Sequence, residues 1–138
     1  MAIVAIDFGR RRIGLAIAES ANSPAYPLGT IIRVSWDEDL ARITAWIVSR
    51  AVTQLVVGLP LNMDGTEGPS AQAARAFGGQ LGTHLQLPVD YTDERLTSFE
   101  ARERLSNRPA RRRRKTAVDA VAATIILEEW LASHRNSS

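Results

Sequence analysis

Apolar positions along this chain follow two different spacings. Short runs rich in β-branched residues predict five strands, and apolar residues that recur every three or four positions predict helices. The predicted strands cover 3–6, 13–18, 28–34, 55–57 and 87–92, and the predicted helices cover 36–52, 70–85, 98–105 and 116–132. This order predicts an antiparallel hairpin at the start, followed by alternating strands and helices.

The fourth predicted strand is apolar without interruption, which is typical of a strand covered on both faces in a parallel sheet. The segment from Gly58 to Pro69 contains three glycines and two prolines and is predicted to be a loop. No repeat or composition change marks a boundary. We therefore expect one α/β domain over residues 1–138.

Composition excludes several kinds of site. The 138 residues are 45% hydrophobic and include no cysteine, which excludes disulfides, thiolate zinc sites and cysteine nucleophiles. His84 and His134 lie far apart in sequence, so a histidine-built metal site or a serine–histidine relay is not expected. The first apolar run is too short for a signal peptide and no segment resembles a membrane span, so we expect a cytoplasmic protein.

Basic charge is concentrated in one segment. The net charge is only +2, but Arg108 and residues 111–115 place six positive charges within eight residues. The other basic residues are outnumbered by the 15 acidic ones. This distribution indicates a polyanionic partner that contacts one place, although a charged run can also be a solvated loop.

Carboxylates lie at the ends of three predicted elements. Asp7 ends the first strand, Asp93 and Glu94 follow the fifth, and Asp119 lies in the first turn of the last helix. Asp119 is followed by apolar residues at helical spacing, which places it on a face turned toward the sheet. Strand alternation places Asp93 and Glu94 on opposite faces, so only one of them can join a shared site.

Three such carboxylates in one site would repel one another unless a cation is present. Oxygen ligands favour Mg²⁺ or Mn²⁺, and an acidic cluster can hold two such ions on a phosphodiester, one to activate water and one to stabilise the leaving oxygen. Structural roles are the alternative. Asp7 could cap a turn, Asp119 could pair with the capping Thr116, and the 93–94 pair could bind Arg95 on the surface.

Four segments resemble the YqgF/RuvX family of bacterial RNase H-like proteins: AIDFGRRRIGLAIAE, LVVGLPLNMDGTEG, DERLTSFEA and KTAVDAVAATIIL. They occur in the family's order and the resemblance covers essentially the whole chain. It implies an RNase H-like fold, a mixed five-stranded sheet flanked by helices. It also implies a divalent-metal active site formed by Asp7, Glu94 and Asp119, and so favours Glu94 over Asp93.

The resemblance implies a metal-dependent endonuclease with Mg²⁺ or Mn²⁺, in a site for two ions. We expect first a Holliday-junction resolvase acting on four-way DNA junctions, as a homodimer with two sites. The alternative is an endonuclease that matures the 5' end of pre-16S ribosomal RNA. The residues expected to contact nucleic acid are Arg10, Arg11, Arg12, Arg95, Thr97, Arg111, Arg112, Arg113, Arg114 and Lys115.

Two further classes of protein compete with a nuclease. An aspartate–x–glycine hairpin also opens actin-like and sugar-kinase-like ATPases, but these hold ATP between two such domains and this chain supplies one. A non-catalytic nucleic-acid-binding module would not need the three carboxylates at positions 7, 94 and 119.

Overall fold

A computed structural model describes residues 1–94 and 115–135 of the chain, and the side chains of residues 1–94 and 120–134. Five strands and three helices form in this part. The strands are β1 (Ala2–Phe8), β2 (Arg12–Ala18), β3 (Tyr26–Ile32), β4 (Val52–Leu59) and β5 (Val89–Asp93), and the helices are α1 (Trp36–Val48), α2 (Pro69–Leu85) and α3 (Lys115–Arg135). The predicted helix over 98–105 lies outside the described residues.

The five strands form one mixed sheet in the order β3-β2-β1-β4-β5. The pairs β1–β2 and β2–β3 are antiparallel, whereas β1–β4 and β4–β5 are parallel. In β1, Ile6 lies opposite Leu15 on one side and Val57 on the other. The predicted mixed sheet is confirmed, and β1 with its terminal aspartate lies at the centre of it.

The sheet is covered on both faces. Val4, Ile6 and Phe8 of β1 face α1 and α2, in the larger of the two core clusters that contain β1 residues. Ile3 and Ala5, on the opposite face, pack with residues of α3. Since side chains alternate along a strand, Asp7 belongs to the α3 face.

Three aromatic rings close the larger cluster at the end of β1. The rings of Phe8 and Phe77 stack with centroids 4.4 Å apart, and Trp36 meets both edge-on. Phe77 is fully buried on α2. Such pairs contribute about 0.5–1.5 kcal/mol beyond the area they bury. They tie the first turn of α1 and the middle of α2 to the strand that carries Asp7.

Local signals account for the start of α1 and α2. Ser35 caps α1, and its side-chain oxygen accepts a hydrogen bond from the backbone N–H of Glu38. Helix α2 begins one residue before the predicted start at residue 70. Gly68 is the N-cap and Pro69 is the first helical residue, a position that needs no N–H donor.

Several predicted boundaries are also wrong. Gly58 and Leu59, predicted as loop, belong to β4, and Pro27 lies in β3. An edge strand such as β3 tolerates a proline because one side of its backbone has no strand partner. Helix α1 ends at Val48, and Ala51, predicted as helical, has a positive φ of 52°. None of the helices in residues 1–94 and 115–135 is long and apolar enough to cross a membrane.

We expect Phe77→Ala to lower the free energy of unfolding by about 3–5 kcal/mol, because it removes a buried ring from the aromatic cluster and leaves a cavity. Urea denaturation followed by circular dichroism measures the change. Val48→Ala is the control, since Val48 is 69% exposed and its truncation should change stability by less than about 0.5 kcal/mol. Equal effects of the two substitutions would contradict the packing described here.

Candidate active site

Asp7 is the half-buried acidic residue at the carboxyl end of the central strand. It lies opposite Gly14 of β2, so its antiparallel neighbour brings no side chain to compete for the same space. The turn that follows is tight, because the Gly9 N–H donates to the Arg12 carbonyl at 2.9 Å. A Cβ on Gly9 would lie 2.7 Å from that carbonyl oxygen, so the turn requires glycine.

Glu94 follows β5 and lies on the same face of the sheet as Asp7. Its backbone N–H donates to the Leu59 carbonyl at 3.1 Å, which extends the pairing of β4 and β5 by one residue. The residue is 7% exposed, and its carboxyl is hydrogen-bonded to that of Asp7. Two ionised carboxylates cannot hydrogen-bond to each other, so this contact requires a proton on the pair.

Gly58 makes this contact possible. Strands β1 and β5 are separated by β4, so Glu94 has to reach across β4 to meet Asp7. A Cβ on Gly58 would lie 2.7 Å from Glu94 Oε2 and would also collide with the Cδ1 atom of Ile126 on α3. This role of Gly58 does not follow from the predicted loop over residues 58–69. The available signal is that a glycine inside an apolar strand marks a close approach.

The environment disfavours the charged form of Glu94. Its pKa is raised from 4.5 to about 9, first by burial and then by the charge of Asp7, the hydrogen bond to Asp7 and the charge of Asp93. Without a cation, therefore, the two facing carboxyls hold one proton between them at neutral pH. A divalent cation would replace that proton and allow both groups to ionise.

Asp93 and Glu94 take different positions, as strand alternation predicted. Asp93 is exposed, whereas Glu94 is buried against Asp7. Asp93 still contributes, since its charge raises the pKa of Glu94. The geometry thus gives a physical reason for the preference for Glu94 that the sequence resemblance implied.

Asp119 lies near the start of α3, and its side chain is outside the described part of the structure. The course of the helix is clear from two later residues. Ile126 packs next to Gly58, near the carboxyl end of β4, while Trp130 Nε1 donates to Asp90 Oδ2 at 2.8 Å near the start of β5. Helix α3 therefore runs with its N-terminal end toward the edge of the sheet that carries Asp7 and Glu94.

The donor set fits a hard divalent cation. Asp7 and Glu94 supply only carboxylate oxygens, the ligands that Mg²⁺ and Mn²⁺ prefer. Among the side chains of residues 1–94 and 120–134, no three acidic, histidine or cysteine groups come together as a metal-binding cluster. The structure thus brings two of the three predicted ligands together, and the third is predicted on α3.

The predicted nucleic-acid-binding residues fall into three groups, according to how much of each the structure describes. Arg10 and Arg11 are exposed at the turn after Asp7, and Arg12 is half-buried at the start of β2. Lys115 is the first residue of α3, with its side chain outside the described part. Arg95, Thr97 and Arg111–Arg114 lie outside the described residues altogether.

A family model described as "RuvX: Holliday junction resolvase" matches residues 1–133. The chain belongs to the RuvX family. Among its relatives, a protein of Anaeromyxobacter dehalogenans named "Putative pre-16S rRNA nuclease" is 48% identical, with 95% of this chain and 96% of the relative aligned. A Cereibacter sphaeroides protein of the same name is 41% identical, over 99% of this chain and 89% of the relative. RuvX members are nucleases, so the chain is an enzyme that hydrolyses phosphodiester bonds.

Two solved structures share the fold of this RuvX chain. Thermus thermophilus RuvC in complex with Holliday junction substrate superposes with a TM-score of 0.65 at 13% identity, over 100% of this chain and 98% of RuvC. The fowlpox virus Holliday junction resolvase gives 0.59 at 13% identity, over 96% and 99% of the two chains. This likeness confirms the RNase H-like fold that the sequence resemblance implied.

Glu94→Gln should stabilise the metal-free RuvX protein. Since the folded state raises the pKa of Glu94, it binds more protons than the unfolded state between pH 4.5 and about 9. Wild-type stability therefore falls as pH rises through this window, and the variant, which does not titrate there, should escape this loss. At pH 8 in EDTA we expect a gain of about 1–3 kcal/mol in the free energy of unfolding.

Urea denaturation at pH 5 and pH 8 tests this expectation. Asp93→Asn is the matched control, because it removes a carboxylate at the adjacent, exposed position. Its effect on the pH dependence should be much smaller. A Glu94→Gln variant with the same pH dependence as the wild type would show that the buried carboxyl does not titrate as described.

Gly58→Ala should push the Glu94 carboxyl and Ile126 away from β4. We expect it to lower the free energy of unfolding by about 1–3 kcal/mol, because the new methyl group overpacks this face. It should also reduce nuclease activity, since Glu94 can no longer reach Asp7. Gly79→Ala on α2 is the control: its Cβ would meet only the Tyr91 hydroxyl at 3.8 Å, and alanine favours a helix. A Gly58→Ala enzyme as stable and active as Gly79→Ala would contradict the role of Gly58.

Proposed function

We propose that this RuvX protein is a divalent-metal-dependent endonuclease that matures the 5' end of pre-16S ribosomal RNA. The observation that carries the catalytic part is the hydrogen-bonded pair of Asp7 and Glu94 at the carboxyl edge of the sheet. Placing the buried Glu94 carboxyl against the half-buried Asp7 carboxyl costs folding free energy, and a bound cation that allows both to ionise would account for this arrangement. The chain belongs to a family of nucleases, and the phosphates of a nucleic acid are negatively charged. A cation bound by the two carboxyls could therefore also bind the substrate phosphate.

Asp7, Glu94 and Asp119 are the residues proposed to hold Mg²⁺ or Mn²⁺. When bound, one or two such ions supply an activated water and stabilise the oxygen that leaves the phosphodiester. The chain's own part is to place the ligands. Asp7 comes from the central strand and Glu94 from the far side of β4, so neither can move without disturbing the sheet.

The apolar surroundings of the Asp7–Glu94 pair are also proposed to serve metal binding. The Glu94 carboxyl lies over Gly58, close to which the buried Ile126 also packs, and Glu94 is largely shielded from bulk water. In such a site charges interact more strongly than at the surface. We infer that these surroundings would favour a protonated Glu94 in the absence of a cation, and that Glu94 would serve as one of the ligands when a cation is bound.

Basic residues would draw the substrate to this acidic edge. Arg10 and Arg11 are exposed next to Asp7, where they can neutralise flanking phosphates. Arg12, Arg95, Thr97 and the run Arg111–Lys115 are proposed to serve the same purpose. Without such cations, the carboxylates would repel a polyanionic substrate.

The names of the sequence relatives favour RNA as the substrate. Relatives 41–48% identical over nearly the whole chain carry a name that refers to pre-16S rRNA. The two Holliday-junction enzymes are only 13% identical and support the fold alone. We therefore place ribosomal RNA ahead of the four-way DNA junction, which is the reverse of the order expected from the sequence.

A Holliday-junction resolvase is the second candidate. The description of the family model favours it, since that description names this activity. Paired cuts across a two-fold symmetric junction need two active sites, so this candidate requires a homodimer. Trimming a single RNA strand does not.

Cleavage assays with a labelled pre-16S rRNA 5' segment and a synthetic four-way DNA junction separate the candidates. We expect the wild type with Mg²⁺ or Mn²⁺ to cut the RNA, and EDTA to abolish cutting. Asp7→Asn should lower the rate at least about 100-fold, because it removes a ligand of the ion that activates the water. Asp37→Asn, an exposed change on α1, is the matched control and should leave the rate unchanged.

Symmetric cuts in the DNA junction by the wild type, lost in Asp7→Asn, would instead support the resolvase candidate, and a dimer in solution should accompany them. Full activity of Asp7→Asn on either substrate would rule out the proposed metal site. Cleavage of neither substrate by the wild type would contradict both candidates.

A further inference from the structure

Arg33 lies just after β3 and contacts four successive residues after Asp7, from Phe8 to Arg11. Its Nη1 donates to the carbonyl oxygens of Gly9 at 3.1 Å and Arg10 at 3.2 Å. Its guanidinium carbon lies 4.3 Å from the centre of the Phe8 ring, and its backbone N–H donates to the Arg11 carbonyl at 2.8 Å. One side chain and its backbone therefore hold the whole turn between β1 and β2.

Arg33 is itself held by Asp39, the buried acidic residue in the first turn of α1. Asp39 is 0% exposed, and its Oδ2 accepts a hydrogen bond from Arg33 Nε at 3.3 Å. Its Oδ1 accepts another from the backbone N–H of Val34 at 3.1 Å. The Asp39 N–H in turn donates to the Ser35 carbonyl at 2.9 Å, which fixes the carboxylate to the start of the helix.

This network lies on the face of the sheet opposite to the carboxylate pair. Phe8, which Arg33 covers, points into the cluster formed with α1 and α2, whereas Asp7 points toward α3. Arg33 therefore acts on the active site through the backbone of the turn. The guanidinium fork suits this role, because a planar group with several fixed donors can serve a carboxylate and two carbonyls at once.

The turn needs such support. It carries Arg10 and Arg11 side by side in solvent, and these like charges repel each other. Within the turn, the Gly9 N–H donates to the Arg12 carbonyl. Among the hydrogen bonds described in residues 1–94, those from Arg33 connect the carbonyls of the other turn residues to the rest of the molecule. Movement of this turn would shift Asp7, which lies two residues before Gly9.

We propose that Arg33 and Asp39 are positioning residues for the nuclease reaction: the buried Asp39 carboxylate orients the Arg33 fork, and the fork fixes the turn that places Asp7 and the exposed arginines. The inference rests on the proposed metal-dependent cleavage and adds two residues to it on the opposite face of the sheet. A competing role for Arg33 is direct binding of substrate phosphate by its charge, since its side chain is 24% exposed.

Three variants separate these roles. Arg33→Met removes the fork but keeps an apolar stem over Phe8, Arg33→Lys keeps the charge but loses the fork, and Asp39→Asn keeps the shape but loses the charge. Arg42→Met is the matched control: Arg42 is an exposed arginine of α1 that donates to the Ile32 carbonyl at 2.7 Å and does not contact the turn. For each variant, the concentration of folded protein at 25 °C is measured first, and all rates are expressed per folded molecule.

Two measurements are made on each variant. Hydrogen exchange of the metal-free protein reports on the turn without any substrate. Steady-state cleavage of the nucleic acid that the wild type cuts gives kcat and KM. We expect the amides of residues 9–12 to exchange about 10-fold faster or more in all three variants, with residues 3–6 of β1 unchanged. We expect kcat to fall about 10–100-fold while KM changes less than about 3-fold.

Arg33→Lys decides between the two roles. Positioning predicts that kcat stays at least about 10-fold below the wild type, because a lysine ammonium cannot bind all three acceptors. A large rise in KM in Arg33→Met that Arg33→Lys reverses would show phosphate binding and overturn the proposal. Uniformly faster exchange with an unchanged kcat would show a merely structural role and overturn it too. If the wild type cuts no nucleic acid, the proposed function fails, and turn-specific exchange alone decides whether Arg33 and Asp39 hold the turn.

Discussion

The contact between the Asp7 and Glu94 carboxyls is the feature of the candidate active site that makes the strictest demand on the fold. Two acidic groups meet beside Gly58 and Ile126, where burial and the charge of Asp7 disfavour the ionised form of Glu94 at neutral pH. Three features of the fold are needed for this contact. The central strand delivers Asp7, the pairing of β4 with β5 delivers Glu94, and the missing side chain of Gly58 leaves the path between them open.

The two faces of the sheet have different tasks. On the face of α1 and α2, aromatic packing around Phe8 and the Asp39–Arg33 network hold the end of β1 in place. On the α3 face, the same strand presents its carboxylate. Since side chains alternate along a strand, one rigid residue can be packed and its neighbour can be reactive. The apolar side thus supplies the rigidity that the proposed arrangement of metal ligands requires.

The family of this chain and the geometry of its site bear on different aspects of its function. Membership of the RuvX family establishes a nuclease, and the likeness to RuvC establishes the fold. Neither the fold nor the carboxylate pair distinguishes RNA from a DNA junction, because both substrates present the same phosphodiester to the same ligands. The difference between them lies in how far the binding surface extends and whether two sites face each other, which are properties of the surface around the pair rather than of the pair itself.

Sequence alone determined the kinds of element, their order and the positions of the acidic residues at element ends, because hydrophobic spacing records which side of each segment is buried. It also placed Asp93 and Glu94 on opposite faces through the period of two. Only the tertiary structure decided that Glu94 reaches Asp7 across β4 and that Gly58 permits it. It also revealed that Arg33 joins a distant turn to a buried aspartate. These depend on strand order and on contacts between residues more than 20 positions apart, which no local pattern encodes.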